Sequence, residues 1–346
     1  MSVCDAPTGL SERVLSHLGT DAACVVLVGS QVAGYGHARS DIDVYVFSNV
    51  RDKFTDTLNH DGQRIDLEHF NAGWLRDLFS LFRDVEASPG SALKLDLGSS
   101  TWASLLRLMC GQVIHSSEAF SDLARDLASL RRRILECFGL ITTWEVVTAS
   151  EDLVGFQEDS DVISFAALEN TLVWRCLDVL MALRDQPFPG DKWRVAKLRQ
   201  SEWSQCVEWP LMPFWGDFRR LQVLNYCLQI ELWGPIRFRP IVTECVGLLG
   251  RLPQAPVSSC RPAPGVLSFG GDDGLRLVDT RSLFERQSEL QISSYLLSVL
   301  AFMLATGCGP EHALIRLGFN QSKILDAVNA QLRLLSDLGF VEGGLR

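Results

Sequence analysis

The sequence predicts an α+β chain in three parts. Residues 1–119 form a small mixed sheet with flanking helices, and 120–251 a helical domain. A linker at 252–265 leads to a winged-helix-like module at 266–346. Three observations carry this expectation. Short β-branched runs alternate with amphipathic stretches through the first 120 residues, the pattern of sheet plus helices. From Phe120 the spacing becomes that of long helices, punctuated at Pro187, Pro189–Gly190 and Pro210–Pro213. Leu252–Gly265 then holds four prolines among small residues and reads as a linker.

The elements follow in order. Ser11–Leu18 reads as a short helix capped by Thr8 or Ser11. Cys24–Val28 is β-branched and apolar, a buried strand, and Ser30–Ala33 after Gly29 can open a helix. Asp41–Phe47 and Gln63–Phe70 read as further strands with alternating character. Trp74–Val85 and Trp102–Met109 have helical spacing. Phe120–Val147, Val162–Arg184 and Phe218–Trp233 are the strongest helices of the middle region. In the last part, Val266–Phe269 and Leu275–Asp279 read as strands around a GGDDG turn. Helices follow near Ile292–Ala305, Pro310–Leu317 and Gln321–Leu338.

Composition narrows the function classes. Apolar residues make up 47% and charged residues 21% of the 346, a globular balance rather than a disordered one. The net charge of −10 and pI near 5.1 argue against a general nucleic-acid binder, which needs a basic footprint. The last module carries nine acids against seven bases over 266–346, and its third helix has only Lys323 and Arg333. DNA is therefore not an expected partner, and a protein contact or domain packing is the expected role. That surface would meet the helical domain, a second copy of the chain or a peptide. The longest near-continuous apolar run, Tyr295–Ala305, is shorter than the roughly 20 residues a bilayer span needs, so no membrane partner is expected. The first thirty residues lack a basic start followed by an apolar run, so no secretory signal is expected. Ten cysteines with no CxxC pair read as reduced, buried thiols in a cytoplasmic protein. Arginine supplies 27 of the 32 basic residues, a bias read as genomic rather than functional.

One segment carries chemistry: VVLVGSQVAGYGHARSDIDVYVF, residues 25–47. Gly29 lets backbone approach a phosphate with no Cβ in the way. Ser30 stands where a helix would begin, so its hydroxyl and the nearby amides can bind phosphate oxygens. Asp41 and Asp43 are two apart, so their carboxylates share a face, and two hard oxygen ligands on one face suit Mg²⁺. A third carboxylate is expected from a neighbouring strand. Asp66 in RIDLEHF is the first choice, with Glu68 on the same face as the alternative. His37 and His69 read as surface-loop and structural residues. The tryptophans at 193, 203, 209, 215 and 233 could line an aromatic pocket, but core packing is the favoured reading.

Gly29-Ser30, Gly34, Ser40-Asp41-Ile42-Asp43 and then Asp66 form four elements in order. Together they resemble the nucleotidyltransferase superfamily that includes DNA polymerase β, closest to its minimal and antibiotic-modifying members. The resemblance covers about 100 residues closely. More loosely, LDVLMALRDQPFPGDKW at 177–193 looks like the helix-plus-pGxKW stretch that follows the core in related small-molecule transferases. The resemblance implies a nucleotidyltransferase core and transfer of a nucleoside monophosphate, with ATP or another nucleoside triphosphate as donor. The acceptor would be a small molecule and pyrophosphate the leaving group. It implies two Mg²⁺ ions held by Asp41 and Asp43. Asp66 would hold the second ion or accept the acceptor's proton. Gly29, Ser30 and Lys192 would face the nucleotide phosphates, with Lys192 alternatively facing the acceptor. A protein, peptide or tRNA end is the alternative acceptor, and a catalytically inactive partner-binding scaffold a third reading.

Overall fold

The computed structural model describes residues 9–19, 22–37, 40–49, 53–85, 95, 97–204, 218–249, 261–263, 265–271, 274–282, 289–319 and 322–342. The chain is a mixed α+β protein with two compact units. The first comprises Met1–Cys137 with Ala182–Lys197, and the second Phe138–Met181 with Leu198–Arg346. Most of the expected linker, the centre of the GGDDG turn, and the tryptophans at 209 and 215 lie outside the described residues.

The first unit is built on five strands: β1 (Ala22–Val28), β2 (Ile42–Ser48), β3 (Phe54–His60), β4 (Gln63–Asn71) and β5 (Gln112–Ser116). Their order in the sheet is β3-β4-β2-β1-β5. Only the β2–β4 pair is parallel; β1 with β2, β1 with β5, and β3 with β4 are antiparallel. The register aligns Val44 with Leu67 and Leu27 with Val44, so Val25, Leu27, Val44, Val46, Ile65 and Leu67 share one face. Leu10 and Val14 of the helix α1 (Leu10–Leu18) close over that face as an apolar core. Because side chains alternate along a strand, the opposite face carries Asp43 beside Asp66, Tyr45 beside Glu68 and Phe47 beside Phe70. It therefore grades from carboxylates at one end to stacked rings at the other. Phe47 and Phe70 lie 5.5 Å apart by ring centroid.

β3 and β5 have no counterpart among the expected strands. β3 reads FTDTLNH and buries only Leu58, so it lacks the apolar alternation that betrays a strand. It pairs along its whole length with β4, whose residues supply the burial. Short helices flank the sheet: α2 (Gly29–Val32), α3 (Ala72–Asp84) and α4 (Ser99–Met109). Asn71 caps α3 by accepting a hydrogen bond from Gly73 N–H at 2.7 Å.

Two long helices, α5 (Leu123–Glu158) and α6 (Val162–Leu183), contribute residues to both units, and α7 (Arg194–Gln200) follows. In the second unit, α8 (Arg219–Trp233) is buried on every side from Arg219 to Leu232. Several of its polar side chains make hydrogen bonds to the rest of the unit. Gln222 Nε2 donates to the carbonyls of Ala263 and Val266 at 2.8 and 3.0 Å. Tyr226 Oη donates to Val266 at 3.0 Å, and Asn225 Oδ1 accepts from Ser268 N at 2.6 Å. Arg220 pairs with Glu169 at 2.9 Å, both buried. After the two-residue β6 (Arg261–Pro262), the strand receiving these bonds is β7 (Val266–Gly271), the edge of an antiparallel sheet with β8 (Gly274–Asp279) and β9 (Glu289–Ile292). Much of the helical region thus shares one compact unit with the last eighty residues, and within it α8 hydrogen-bonds to the start of β7. The unit continues with α9 (Arg239–Leu248), α10 (Ser294–Thr306), α11 (Pro310–Arg316) and α12 (Ser322–Asp337). No single helix among the described residues is long and apolar enough to cross a membrane.

Candidate functional site

The start of β2 and the middle of β4 hold the candidate site, both in the first unit. Parallel pairing sets Asp43 directly beside Asp66, and Asp41 lies two residues before Asp43. One carboxylate oxygen from each of the three lies within 4.8 Å of the others. They are the one group among the described residues that could hold a metal ion with three acidic, cysteine or histidine ligands. Three hard oxygen donors at this spacing suit Mg²⁺, which takes one or two carboxylates and fills its octahedron with water and phosphate oxygens.

The electrostatics agree with that chemistry. All three acids are half-buried, and Asp43 feels that burial most clearly. Burial pushes its carboxyl up to about 6 from 3.8, the charges of Asp41, Glu68 and Asp66 push the same way, and Arg107 opposes them. A cation already neutralises part of the group. The Arg64 guanidinium donates to Asp66 Oδ2 through Nη2 at 2.6 Å and Nε at 3.1 Å, and to Asp41 Oδ2 at 3.1 Å. Arg64 is exposed and two residues before Asp66, so the strand's alternation aims it at the same face. Thr57 on β3 donates to Asp66 Oδ1 at 3.3 Å.

Glu68 is engaged elsewhere. Its oxygens meet Lys53 Nζ at 3.0 Å and Arg107 Nη1 at 3.6 Å, and it is not in the three-carboxylate group.

Gly29 begins the turn that faces the acids. Its φ of +86° is left-handed, and a Cβ there would stand 2.1 Å from Asp43 Oδ2. Glycine is required both by the backbone and by the carboxylate. Ser30 is buried, and its carbonyl accepts the amides of Tyr35 and Gly36, each at 2.8 Å, which folds residues 30–36 into a tight loop. The far end of the loop is held by amides: Gln31 Nε2 donates to the His37 and Ser40 carbonyls at 3.0 and 3.2 Å, and Gln63 Nε2 to Ser40 at 2.8 Å. Ser40 Oγ accepts the amide of His37 at 3.0 Å. Asp41 is thereby delivered to β2 from a pinned loop.

No family model matches the sequence, and no curated protein matches it.

Lys192 lies on the short turn Asp191–Trp193, in the same unit. Its ammonium is 5.1 Å from the Trp193 ring centroid, and it makes no ion pair with the three carboxylates. Its neighbourhood nonetheless touches the loop. Trp193 faces the His37 ring at 6.5 Å, and Phe188 packs on Tyr35 at 5.7 Å. The segment around Pro189 thus braces the turn that carries Ser30. Of the other tryptophans in that stretch, Trp203 is fully buried in the second unit. His69 stacks on Phe54 at 4.1 Å, on the side of the sheet away from the acids.

Sequence reasoning missed Arg64, Lys53, Arg107 and the two glutamines. Arg64 was within reach, since its i−2 spacing from Asp66 places both on one face. Arg107 and Lys53 reach Glu68 only through tertiary packing.

Proposed function

We propose that this chain is a Mg²⁺-dependent nucleotidyltransferase, moving AMP from ATP to a small-molecule acceptor and releasing pyrophosphate. The observation that carries the reading is the carboxylate group itself. Asp41, Asp43 and Asp66 lie within 4.8 Å of one another, facing a glycine turn whose first residue cannot bear a Cβ. The motif order from Gly29-Ser30 to Asp66 supports the same reading, through its resemblance to the nucleotidyltransferase superfamily. The finer fold reading goes with it: a nucleotidyltransferase core around β1, β2 and β4, and a winged-helix-like module from β7 to α12. The acidic balance of that module supports a protein-contact role over DNA binding.

The donor set fits a pair of Mg²⁺ ions, which when bound would neutralise a triphosphate and favour in-line displacement at its α-phosphorus. Asp41 and Asp43 would hold them from one strand, and Asp66 would complete the set or accept the proton of the acceptor hydroxyl. Arg64, bridging Asp41 and Asp66, would yield its place and meet the phosphate oxygens instead. The Ser30 hydroxyl and the amides at the start of α2 would bind the β- and γ-phosphates. Aligning the acids on neighbouring strands fixes their geometry before any ligand arrives, which lowers the reorganisation cost of reaction.

Calorimetry with ATP, with and without Mg²⁺, tests the reading on the full chain and on Asp41→Asn/Asp43→Asn. Metal-dependent binding lost in the double variant is expected. Equal, metal-independent binding by both would overturn it.

A further inference from the structure

The face that carries the acids also carries a cavity. Phe70 follows Asp66 by four residues on β4, about 13 Å along the strand at roughly 3.3 Å per residue. There a cavity of about 200 Å³ opens within the first unit. That is below the roughly 300–1,000 Å³ of sites for drug-sized ligands, so it suits a single substituted ring.

Its walls are of two kinds. Phe70 and Trp74, stacked with centroids 5.0 Å apart, form an aromatic side. The rest is polar and rich in donors. Ser100, Thr101 and Ser104 bring three hydroxyls from α4, and Lys53 brings an ammonium 4.5 Å from the Phe70 centroid. Among the described residues, no carboxylate lines the cavity. Ser100 and Thr101 lie in the first turn of α4, whose N-cap is Gly98, with no side chain to accept the first amides. That adds a partial positive charge to the donor side. The nearest acid in sequence register, Glu68, is shared between Lys53 and Arg107, and an ammonium has three protons to distribute.

We propose that this cavity binds an aromatic oxyanion: a planar ring bearing a carboxylate or a phosphate. The ring lies against Phe70 and Trp74, and the oxyanion meets Lys53 and the hydroxyls at the start of α4. A neutral ring would bring no charge to the protons that Lys53 does not give to Glu68, and an aliphatic anion would leave the stacked wall unused. The site stands apart from the carboxylate group and does not depend on nucleotide transfer.

The test is calorimetric titration of the full chain with phenyl phosphate, benzoate and benzyl alcohol. Saturable binding of either anion, with none of the alcohol, is expected, and which anion binds names the oxyanion. Lys53→Met and Thr101→Val should each weaken binding at least tenfold with melting unchanged, whereas Asp41→Asn/Asp43→Asn should leave it intact. The proposal fails if neither anion gives saturable heat or if the alcohol binds as well as they do. It fails equally if both cavity variants bind like the wild type.

Discussion

A Cβ on Gly29 would stand 2.1 Å from Oδ2 of Asp43, so the glycine of the turn and the carboxylate share one space. Gly29→Ala forces a side chain into a left-handed φ of +86° and against that carboxylate. It is expected to destabilise the fold by about 2 kcal/mol or more and to abolish Mg²⁺-dependent ATP binding. Gly34→Ala is the control. Its φ of +80° is also left-handed, but nothing stands within 4 Å of its Cβ position. It should cost only about 1 kcal/mol and keep ATP binding. Melting curves and calorimetry on the two variants separate steric conflict from backbone strain.

Asp43 gives the metal-free protein a pH signature. Its carboxyl sits at about 6 in the fold against 3.8 for the ordinary group, chiefly through burial. The folded state therefore holds this proton more tightly than the unfolded chain. Between pH 3.8 and about 6, stability falls as pH rises, and the penalty is complete above that window. At neutral pH without metal, Asp43→Asn should stabilise the chain by on the order of 2 kcal/mol and flatten the slope, read from urea midpoints across pH. Mg²⁺ should narrow the gap by stabilising only the wild type.

Asp66 and Glu68 share a face but not an environment. Asp66→Asn should lower turnover about 10²-fold, as loss of a ligand or base does. Glu68→Gln loosens Lys53 and Arg107 and should cost no more than a few-fold. Steady-state rates of pyrophosphate release decide between them, and the opposite ranking would sink the assignment of Asp66.

Arg64 competes with metal for Asp41 and Asp66. Arg64→Ala is expected to tighten Mg²⁺ binding several-fold in the absence of nucleotide and to weaken ATP binding once the metal is present. Separate titrations of metal and of nucleotide distinguish this from a general loss of fold, which would weaken both.

In the second unit, Asn225→Ala leaves the buried amide of Ser268 without its acceptor. The expected cost is about 1–3 kcal/mol in denaturant unfolding. Deleting the chain from Gly265 removes β7, which accepts from Gln222 and Tyr226, and should expose α8 and drive aggregation. A truncated chain that stays monomeric and melts like the full one would contradict the packing of α8 on β7.

The candidate site was legible where local rules act. The i, i+2 spacing of Asp41 and Asp43, the position of Gly29-Ser30 after an apolar strand, and Asp66 inside RIDLEHF all follow from strand alternation and turn chemistry, which are properties of a few adjacent residues. Strands such as Cys24–Val28 and helices such as Val162–Arg184 announced themselves for the same reason: each carries its own apolar pattern, a short β-branched run in the strand and a long helical spacing in the helix. β3 did not, because FTDTLNH buries one residue and borrows its order from β4. Nor could spacing show that β2 and β4 run parallel in the register that sets Asp43 beside Asp66, since register is chosen by the apolar pairs Ile42–Ile65 and Val44–Leu67 on the other face. Tertiary structure alone decided that Glu68 belongs to Lys53 and Arg107, and that Arg64 bridges Asp66 to Asp41, which lies 23 residues before the arginine. It alone joined the last eighty residues to α8. Charge and hydrogen-bond partners are settled by which surfaces meet, and that depends on every residue packed behind them.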